Sequence, residues 1–236
     1  MSDAMKPLPL TLIVAATPSN AIGRASSLPW RLSNEMAYFA RMTKGEPPNK
    51  EGVNVVIMGR KSWEGIPKKF RPLPGRRNVV VSRQEGFELG DAPNTFLASS
   101  LSSAVEALGS PPSTSSSTPA TPLNRAFLIG GAQLYNLALT SPPPSSSCSS
   151  SSSSYTANRI LLTRLLTEYP DCDTFLHDFT SDLNEETGEK LWRRASHEEL
   201  REWAEWEVPE GVQREKDRMV KEEEKMVEYE YQMWVR

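Results

Sequence analysis

Short apolar runs separated by turn residues recur along the first two thirds of the chain. Residues 10–16 and 53–58 are rich in branched side chains, and turn-forming residues follow each run. Runs of this length and composition predict buried β-strands. The same reasoning predicts further strands at residues 78–81, 95–98, 126–129 and 160–163.

Helical spacing of apolar residues marks the segments between these strands. Residues 32–42 carry apolar side chains three and four positions apart, and Ser33 or Asn34 is placed to cap the helix. Helices are also predicted to begin at Arg60, to cover residues 100–108, and to run through Tyr135 to Leu139. Strands that alternate with helices indicate an α/β fold with a mostly parallel sheet.

The C-terminal residues alternate between apolar and polar side chains. Val227, Tyr229, Tyr231, Met233 and Val235 occupy every second position, and this period of two favours a final strand. Alternatively, the preceding residues 221–225 extend a helix. The predicted fold class is therefore α/β, with a mostly parallel central sheet, flanking helices and an antiparallel C-terminal edge.

Two low-complexity segments interrupt this pattern. Residues 109–122 are almost entirely Ser, Thr, Pro and Ala, and residues 141–154 contain ten serines. Neither segment can bury enough apolar surface to offset the entropy of ordering it. Both are predicted to be surface insertions within a single domain that spans residues 1–236.

Charge is distributed unevenly, although the net charge is only −3. This balance does not mark the chain as a nucleic-acid or membrane binder. Eight basic residues and one acidic residue lie between Arg60 and Arg83, and sixteen acidic residues oppose nine basic ones between Glu185 and Glu230. The acidic stretch is interpreted as a solvated face, whereas the basic stretch is either a solvated face or a surface for anions.

Cysteine and histidine are too sparse for several kinds of site. Cys148 and Cys172 cannot form a disulfide framework and lack metal-ligand spacing, while His177 and His197 have no obvious catalytic partners. No metal is therefore expected. The N-terminal apolar run is too short to span a membrane and lacks a signal-peptide pattern, which predicts a cytoplasmic protein with no membrane partner.

Glu35 is unusual because helical spacing places it on the same face as Phe39 and Met42. A carboxylate at the edge of an apolar face is costly unless it has a partner. Glu35 is either a surface residue with an ordinary salt bridge or a buried acid that binds the amino groups of a ligand.

Nucleotide-binding motifs of the Gly-x-Gly-x-x-Gly and Walker types are absent from the sequence. Gly59 to Ser62 and the pair Ser82-Arg83 each follow a predicted strand and combine a hydroxyl with cations that suit phosphate. Each set is alternatively a group of solvated cations. Gly130-Gly131 indicates either a close backbone approach to a flat ligand or merely a tight turn.

Taken in order, these segments resemble the dihydrofolate reductase family, and more closely its fungal members with Ser-rich insertions. The matching blocks are Ile13-Val14-Ala15, Ala21-Ile22-Gly23, Leu28-Pro29-Trp30, Asn34-Glu35 with Phe39, residues 56–63 with Ile66-Pro67, residues 71–76, Val81-Ser82-Arg83, residues 128–131, Leu162-Thr163-Arg164 and Asp173-Thr174-Phe175. The resemblance implies the family's fold and the reduction of 7,8-dihydrofolate to tetrahydrofolate for one-carbon metabolism, with NADPH as cofactor.

The resemblance also implies roles for individual residues around the substrate. Glu35 would bind the pterin at N3 and the 2-amino group, Thr163 would support that contact, and Trp30 would position a water near the acid. Arg76, rather than its neighbour Arg77, would pair with the α-carboxylate of the glutamate tail. The remaining substrate-binding residues would be Ile13, Ala15, Met36, Phe39 and Ile66, although Met36 and Phe70 depart from the residues common in the family.

For the cofactor, the resemblance implies that Arg60, Lys61 and Ser62 hold phosphates and that Ser82 and Arg83 hold the adenosine 2′-phosphate. The other cofactor-binding residues would be Ala15, Ile22, Gly23, Gly59, Gly130, Gly131, Gln133, Leu134 and Tyr135. Residues 17–27 would form a mobile loop that closes over the site. A monomer that also binds antifolates, with no nucleic-acid partner, is expected.

Two other functions are compatible with the fold class. A reductase that acts on a riboflavin precursor would not need Leu28-Pro29-Trp30 followed by an acid on the next helix. A catalytically silent scaffold or RNA-binding regulator would not need Glu35, Trp30 and Thr163 together, and no basic surface with interleaved aromatic residues suggests nucleic acid.

Overall fold

The computed structural model describes residues 6–45, 52–90, 92–109, 122–141, 154–184, 187–220 and 225–236. The predicted low-complexity insertions, 109–122 and 141–154, lie outside the described residues except at their ends. Most of the acidic run 221–225, for which a helix was the alternative, also lies outside them.

Eleven strands and five α-helices follow one another along the described chain. The strands are β1 (Leu8–Ala16), β2 (Ala21–Gly23), β3 (Val53–Gly59), β4 (Arg77–Val81), β5 (Thr95–Ala98), β6 (Leu123–Leu128), β7 (Tyr155–Leu165), β8 (Thr174–Phe175), β9 (Arg193–Arg194), β10 (Gln213–Lys216) and β11 (Met226–Val235). The helices are α1 (Ser33–Lys44), α2 (Arg60–Gly65), α3 (Leu101–Gly109), α4 (Ala132–Thr140) and α5 (His197–Ala204).

Contacts divide the chain into two compact units. The first comprises residues 1–11 and 43–157, and its centre is a parallel ladder in which β3 pairs with β6 and β4, and β4 pairs with β5. Val55, Val56, Ile57 and Met58 of β3 are completely buried. A strand covered on both faces needs a continuous apolar run, which is the pattern that the sequence has at this point.

The second unit comprises residues 12–42 and 158–236, and it contains the antiparallel part of the structure. Strand β11 pairs with β7, β9 and β10, and Tyr231 lies opposite Thr163 in the β11–β7 ladder. Strand β2 pairs separately with β8. The buried residues Val227, Tyr229 and Tyr231 alternate with more exposed ones, as the period of two requires.

The fold class is confirmed, and every strand and helix expected from the apolar pattern is present. The strands β2, β8, β9 and β10 and helix α5 were not predicted. The short strands have too few residues to show a period. Helix α5 does carry a local signal, because Ser196 and Glu199 form a reciprocal capping box at its start.

Candidate functional site

Glu35 lies in the first turn of α1 and is buried, with only 7% of its surface exposed. The Thr163 hydroxyl donates a 3.3 Å hydrogen bond to its Oε1, and Glu35 makes no ion pair with any residue that the structure describes. Burial raises the pKa of Glu35 from 4.5 to about 7, with a smaller contribution from Glu215 and an opposing one from the Thr163 hydrogen bond. The surface alternative for Glu35 is therefore wrong.

The raised pKa predicts how Glu35 affects stability. Below pH 4.5 the carboxyl is protonated in both the folded and the unfolded chain, whereas between pH 4.5 and about 7 only the unfolded chain loses the proton. The free energy of unfolding therefore falls as the pH rises through this window, by roughly 3 kcal/mol in all. We expect Glu35→Gln to be more stable than wild type above pH 7 and equal to it near pH 4.5. Urea unfolding across this range tests this, and a pH-independent difference would contradict it.

Trp30 precedes α1 and is buried, with 3% of its surface exposed. Its ring packs against Tyr169 at a centroid distance of 5.2 Å, and its buried indole Nε1 has no hydrogen-bond partner among the described residues. Because a buried N–H without a partner is costly, this group is suited to bind a water or a ligand atom.

The apolar residues predicted around Glu35 differ in their exposure. Ile13 on β1 is buried, Ala15 and Phe39 are partly buried, and Met36 is 47% exposed. These four belong to the same unit as Glu35, whereas Ile66, which follows α2, is a partly buried residue of the first unit.

The predicted closing loop, residues 17–27, is bonded to the segment that follows β7. Ser19 donates from its backbone and hydroxyl to the Glu168 carboxylate, at 2.9 and 2.8 Å, and the Ala25 N–H donates to Asp173 at 2.9 Å. Within the loop, Ile22 and Gly23 are buried on β2. The described conformation is therefore held by carboxylates outside the loop itself.

Arg76 is a buried cation, with 7% of its surface exposed. Its guanidinium donates to the carbonyl of Pro74 at 3.2 Å and to the Thr43 hydroxyl, and no carboxylate among the described residues pairs with it. Burial lowers the pKa of Arg76 to about 10, so the side chain stays charged at neutral pH. A buried guanidinium without an acid is suited to bind an anion in bidentate geometry. The adjacent Arg77 is more exposed.

Gly59 and the Gly130-Gly131 pair meet where β3 and β6 end. The Gly59 N–H donates to the Gly130 carbonyl at 2.7 Å, and a Cβ added to either Gly130 or Gly131 would lie 3.4 Å from the Ser62 hydroxyl. Gly130 has a φ of +113°, which favours glycine. The tight-turn interpretation is thus satisfied, because Gly131 also accepts from Leu134 and Tyr135 at the start of α4. The other interpretation, a close approach of the Gly130-Gly131 backbone to a ligand, stays a prediction.

The predicted phosphate-binding cations have different surroundings. Arg60 forms a salt bridge with Glu64, in which the nearest nitrogen and oxygen lie 2.8 Å apart. Lys61 is exposed and makes no ion pair with any described residue. Ser82 is buried and its hydroxyl accepts from the Gln84 N–H at 3.1 Å. Arg83 is exposed and, like Lys61, makes no ion pair within the described chain.

The first turn of α4 carries the last predicted contacts of the cofactor. Gln133 is exposed, Leu134 is partly buried and Tyr135 is buried. Gly131 precedes them as the N-cap residue and makes no side-chain capping hydrogen bond. The N-cap residue at the start of α4 therefore contributes backbone groups alone.

Two residues near Glu35 were not predicted, Glu215 and Asp217. Both are buried, with 9% and 0% of their surface exposed, so the interpretation of the acidic stretch as a solvated face is wrong at these positions. The Glu215 carboxylate accepts from the N–H groups of Ser33, Asn34 and Glu35. Ser33 or Asn34 was predicted to cap α1. Instead, the carboxylate of Glu215 accepts the hydrogen bonds at the start of this helix.

Metal ligands do not cluster among the described residues, since no group of three or more His, Cys, Asp or Glu side chains is placed to hold an ion. In that part of the chain, none of the helices combines the length and the hydrophobicity that a membrane span requires.

Comparison with known proteins identifies a family for this chain. The model of the family described as dihydrofolate reductase matches residues 9–143. A dihydrofolate reductase of Cryptococcus neoformans is 44% identical, over 96% of this chain and 94% of the relative, and one of Pneumocystis carinii is 38% identical, over 96% of each. The structure of Schistosoma mansoni dihydrofolate reductase aligns with a TM-score of 0.62 at 24% identity, covering 98% of this chain and 99% of that one, and supports the fold alone. On the strength of the family model and the two fungal relatives, this chain belongs to the dihydrofolate reductase family.

Proposed function

We propose that the chain catalyses the NADPH-dependent reduction of 7,8-dihydrofolate to 5,6,7,8-tetrahydrofolate, which serves one-carbon metabolism. The family membership supports the reaction, and the observation that carries it in this chain is the buried Glu35, which bonds to Thr163 and has no cation beside it among the described residues. An acid held in this way is suited to accept hydrogen bonds from the amino groups of a pterin.

Glu35 binds the N3 and 2-amino edge of the pterin, and Thr163 keeps the carboxyl oriented through its hydroxyl. The buried Nε1 of Trp30 holds a water near this acid. The proton reaches N5 through water, because Glu35 bonds to a different edge of the ring. Ile13, Ala15, Met36, Phe39 and Ile66 provide apolar contacts to the substrate.

The glutamate tail of the substrate binds to Arg76. This guanidinium is buried without an acidic partner among the described residues, so a substrate carboxylate would complete an ion pair that the protein leaves open. The other anion-binding residues of the first unit are then available for the cofactor.

The residues present fit a nicotinamide dinucleotide phosphate. Exposed Lys61 and Arg83 make no ion pairs within the described chain, and Gly59, Gly130 and Gly131 present backbone without side chains to a ligand. We place the phosphates at Arg60, Lys61 and Ser62, the 2′-phosphate at Ser82 and Arg83, and the rest of the cofactor against Ala15, Ile22, Gly23, Gln133, Leu134 and Tyr135. When bound, the reduced nicotinamide supplies the hydride that C6 of the pterin accepts.

Arg83→Ala tests the placement of the 2′-phosphate. Loss of a charged hydrogen bond is worth roughly 1.5–3 kcal/mol, so NADPH binding should weaken by about 10- to 150-fold while NADH binding barely changes. Fluorescence titration of the purified variant with each cofactor measures this. Arg201→Ala, a change of an exposed arginine on α5, is the control, and equal losses for both cofactors in Arg83→Ala would place Arg83 elsewhere.

Oxidation of NADPH by the purified chain tests the function itself. We expect its absorbance to fall when dihydrofolate is added and methotrexate to stop the reaction. An absence of turnover with dihydrofolate, together with turnover of a riboflavin precursor, would favour the other reductase. A monomeric state and a cytoplasmic location stay predictions.

A further inference from the structure

We propose that Glu215 and Asp217 are positioning residues that hold Glu35 and Trp30 in place for the reaction. Glu215 is on β10 and Asp217 is the first residue after it. Both therefore come from a segment some 180 residues beyond the residues that they hold. The proposal deepens the proposed function and rests on it.

Glu215 fixes the start of the helix that carries Glu35. Its two carboxylate oxygens accept from the backbone of Ser33 at 2.6 Å, of Asn34 at 2.9 and 3.1 Å, and of Glu35 itself at 3.1 Å. The Tyr229 hydroxyl donates to the same carboxylate at 2.9 Å. Amides at a helix start have no partner within the helix, so these bonds fix the position and direction of the first turn.

Asp217 fixes Arg31, the residue that follows Trp30. One carboxylate oxygen accepts from the Arg31 N–H at 2.9 Å, and the Arg218 N–H donates to the Arg31 carbonyl at 3.0 Å. The other oxygen accepts from the Tyr169 hydroxyl at 2.7 Å, and the Tyr169 ring packs against Trp30. Trp30 is thus restrained through its neighbour in the chain and through its aromatic contact.

The negative charge of Glu215 raises the pKa of Glu35, which a neutral capping residue would not do. The ionisable group that acts on Glu35 is Glu215 of β10, and no cation acts on it within the described chain. Tyr38 of the same helix and Tyr231 of β11 also face Glu35, which raises the pKa of both hydroxyls. An anion beside Glu35 disfavours its ionisation, so Glu215 contributes to keeping the pKa of Glu35 near neutrality.

Glu215→Gln separates the effect of charge from that of shape, because it keeps an acceptor oxygen and the length of the side chain. We expect the pKa of Glu35 to fall by roughly 0.5–1 unit. Carboxyl NMR of 13C-glutamate-labelled enzyme measures this in wild type and variant, with Glu35→Gln to assign the signal. The same shift should appear in the pH dependence of kcat/KM. Glu228→Gln, an exposed change on β11, should move neither.

Asp217→Asn should leave the pKa of Glu35 unchanged and lower kcat/KM by roughly tenfold, because misplacement of a positioning group is costly in rate. If Glu215→Gln fails to fold, Glu215→Asp replaces it. That variant keeps the charge but shortens the reach, and it should lower Tm by about 2–6 °C while leaving the pKa of Glu35 high.

An unchanged pKa of Glu35 in folded Glu215→Gln would overturn the effect of charge, and wild-type kcat/KM in Asp217→Asn would overturn the positioning role of Asp217. A low pKa of Glu35 in Glu215→Asp would likewise contradict the proposal. The NMR titration needs no substrate. If the wild-type protein had no dihydrofolate reductase activity, the proposed function would be overturned. The carboxyl titration would still decide the role of Glu215.

Discussion

Replacing Glu35 with glutamine is expected to reduce turnover of dihydrofolate at neutral pH by roughly 10²- to 10⁴-fold, the scale of a positioned acid–base group. Glutamine has the same length, but its amide cannot present two acceptor oxygens or a negative charge to the amino groups of the pterin. Because the Glu35 side chain is buried and bonds to Thr163, solvent water has no free access to take over the role of the carboxylate in the variant. Steady-state kinetics of NADPH oxidation give kcat and KM for both enzymes.

Glu202→Gln provides the control for this change. Glu202 is an exposed residue of α5, so the same chemical substitution should leave kcat and KM at the wild-type values. Circular dichroism verifies that Glu35→Gln keeps its fold. Activity of Glu35→Gln within about threefold of wild type would remove this residue from the mechanism.

Replacing Arg76 with leucine is expected to raise KM for dihydrofolate by about 10- to 150-fold, which corresponds to roughly 1.5–3 kcal/mol for a charged hydrogen bond. The guanidinium is buried and pairs with no carboxylate among the described residues, so the substrate tail is the proposed partner. A pterin without the glutamate presents no carboxylate, and its KM should change little. The comparison of the two substrates therefore separates loss of this ion pair from general damage to the site.

Arg77→Leu is the matched control, because Arg77 is the adjacent arginine and the rival for the same role. It is more exposed than Arg76, which is buried and donates to Thr43 and Pro74. We expect Arg77→Leu to change both KM values by less than about threefold, because the substrate carboxylate is proposed to pair with Arg76 and not with Arg77. A larger rise of the dihydrofolate KM in Arg77→Leu than in Arg76→Leu would reverse the assignment.

Local patterns were sufficient for most of the regular structure. The apolar runs at β3 and β4 and the alternation in β11 are signals that one stretch of sequence carries by itself, and each strand is present. The short strands β2 and β8 have no such signal, because they exist only as partners of each other. Helix α5 could have been predicted from Ser196 and Glu199.

For the site, the sequence indicated which side chains were unusual but did not decide whether they are buried or exposed. Helical spacing placed Glu35 beside apolar residues, with surface and buried interpretations both possible. Burial and the contact with Thr163, 128 positions away, decided between them. The family pattern favoured Arg76 over Arg77, and the tertiary structure adds that Arg76 is the more buried of the two.

The sequence by itself determined the α/β class, the family and the residue types available for the site, because these depend on short-range order and on motifs. Only the tertiary structure decided which acids are solvated. Glu215 and Asp217 lie in a stretch whose composition is typical of a solvated face, yet both are buried against the backbone of residues 31–35. The physical reason is that the cost of burying a carboxylate depends on its partners. Here the partners are backbone N–H groups at or just before a helix start, together with two tyrosine hydroxyls, and no side-chain pattern identifies them.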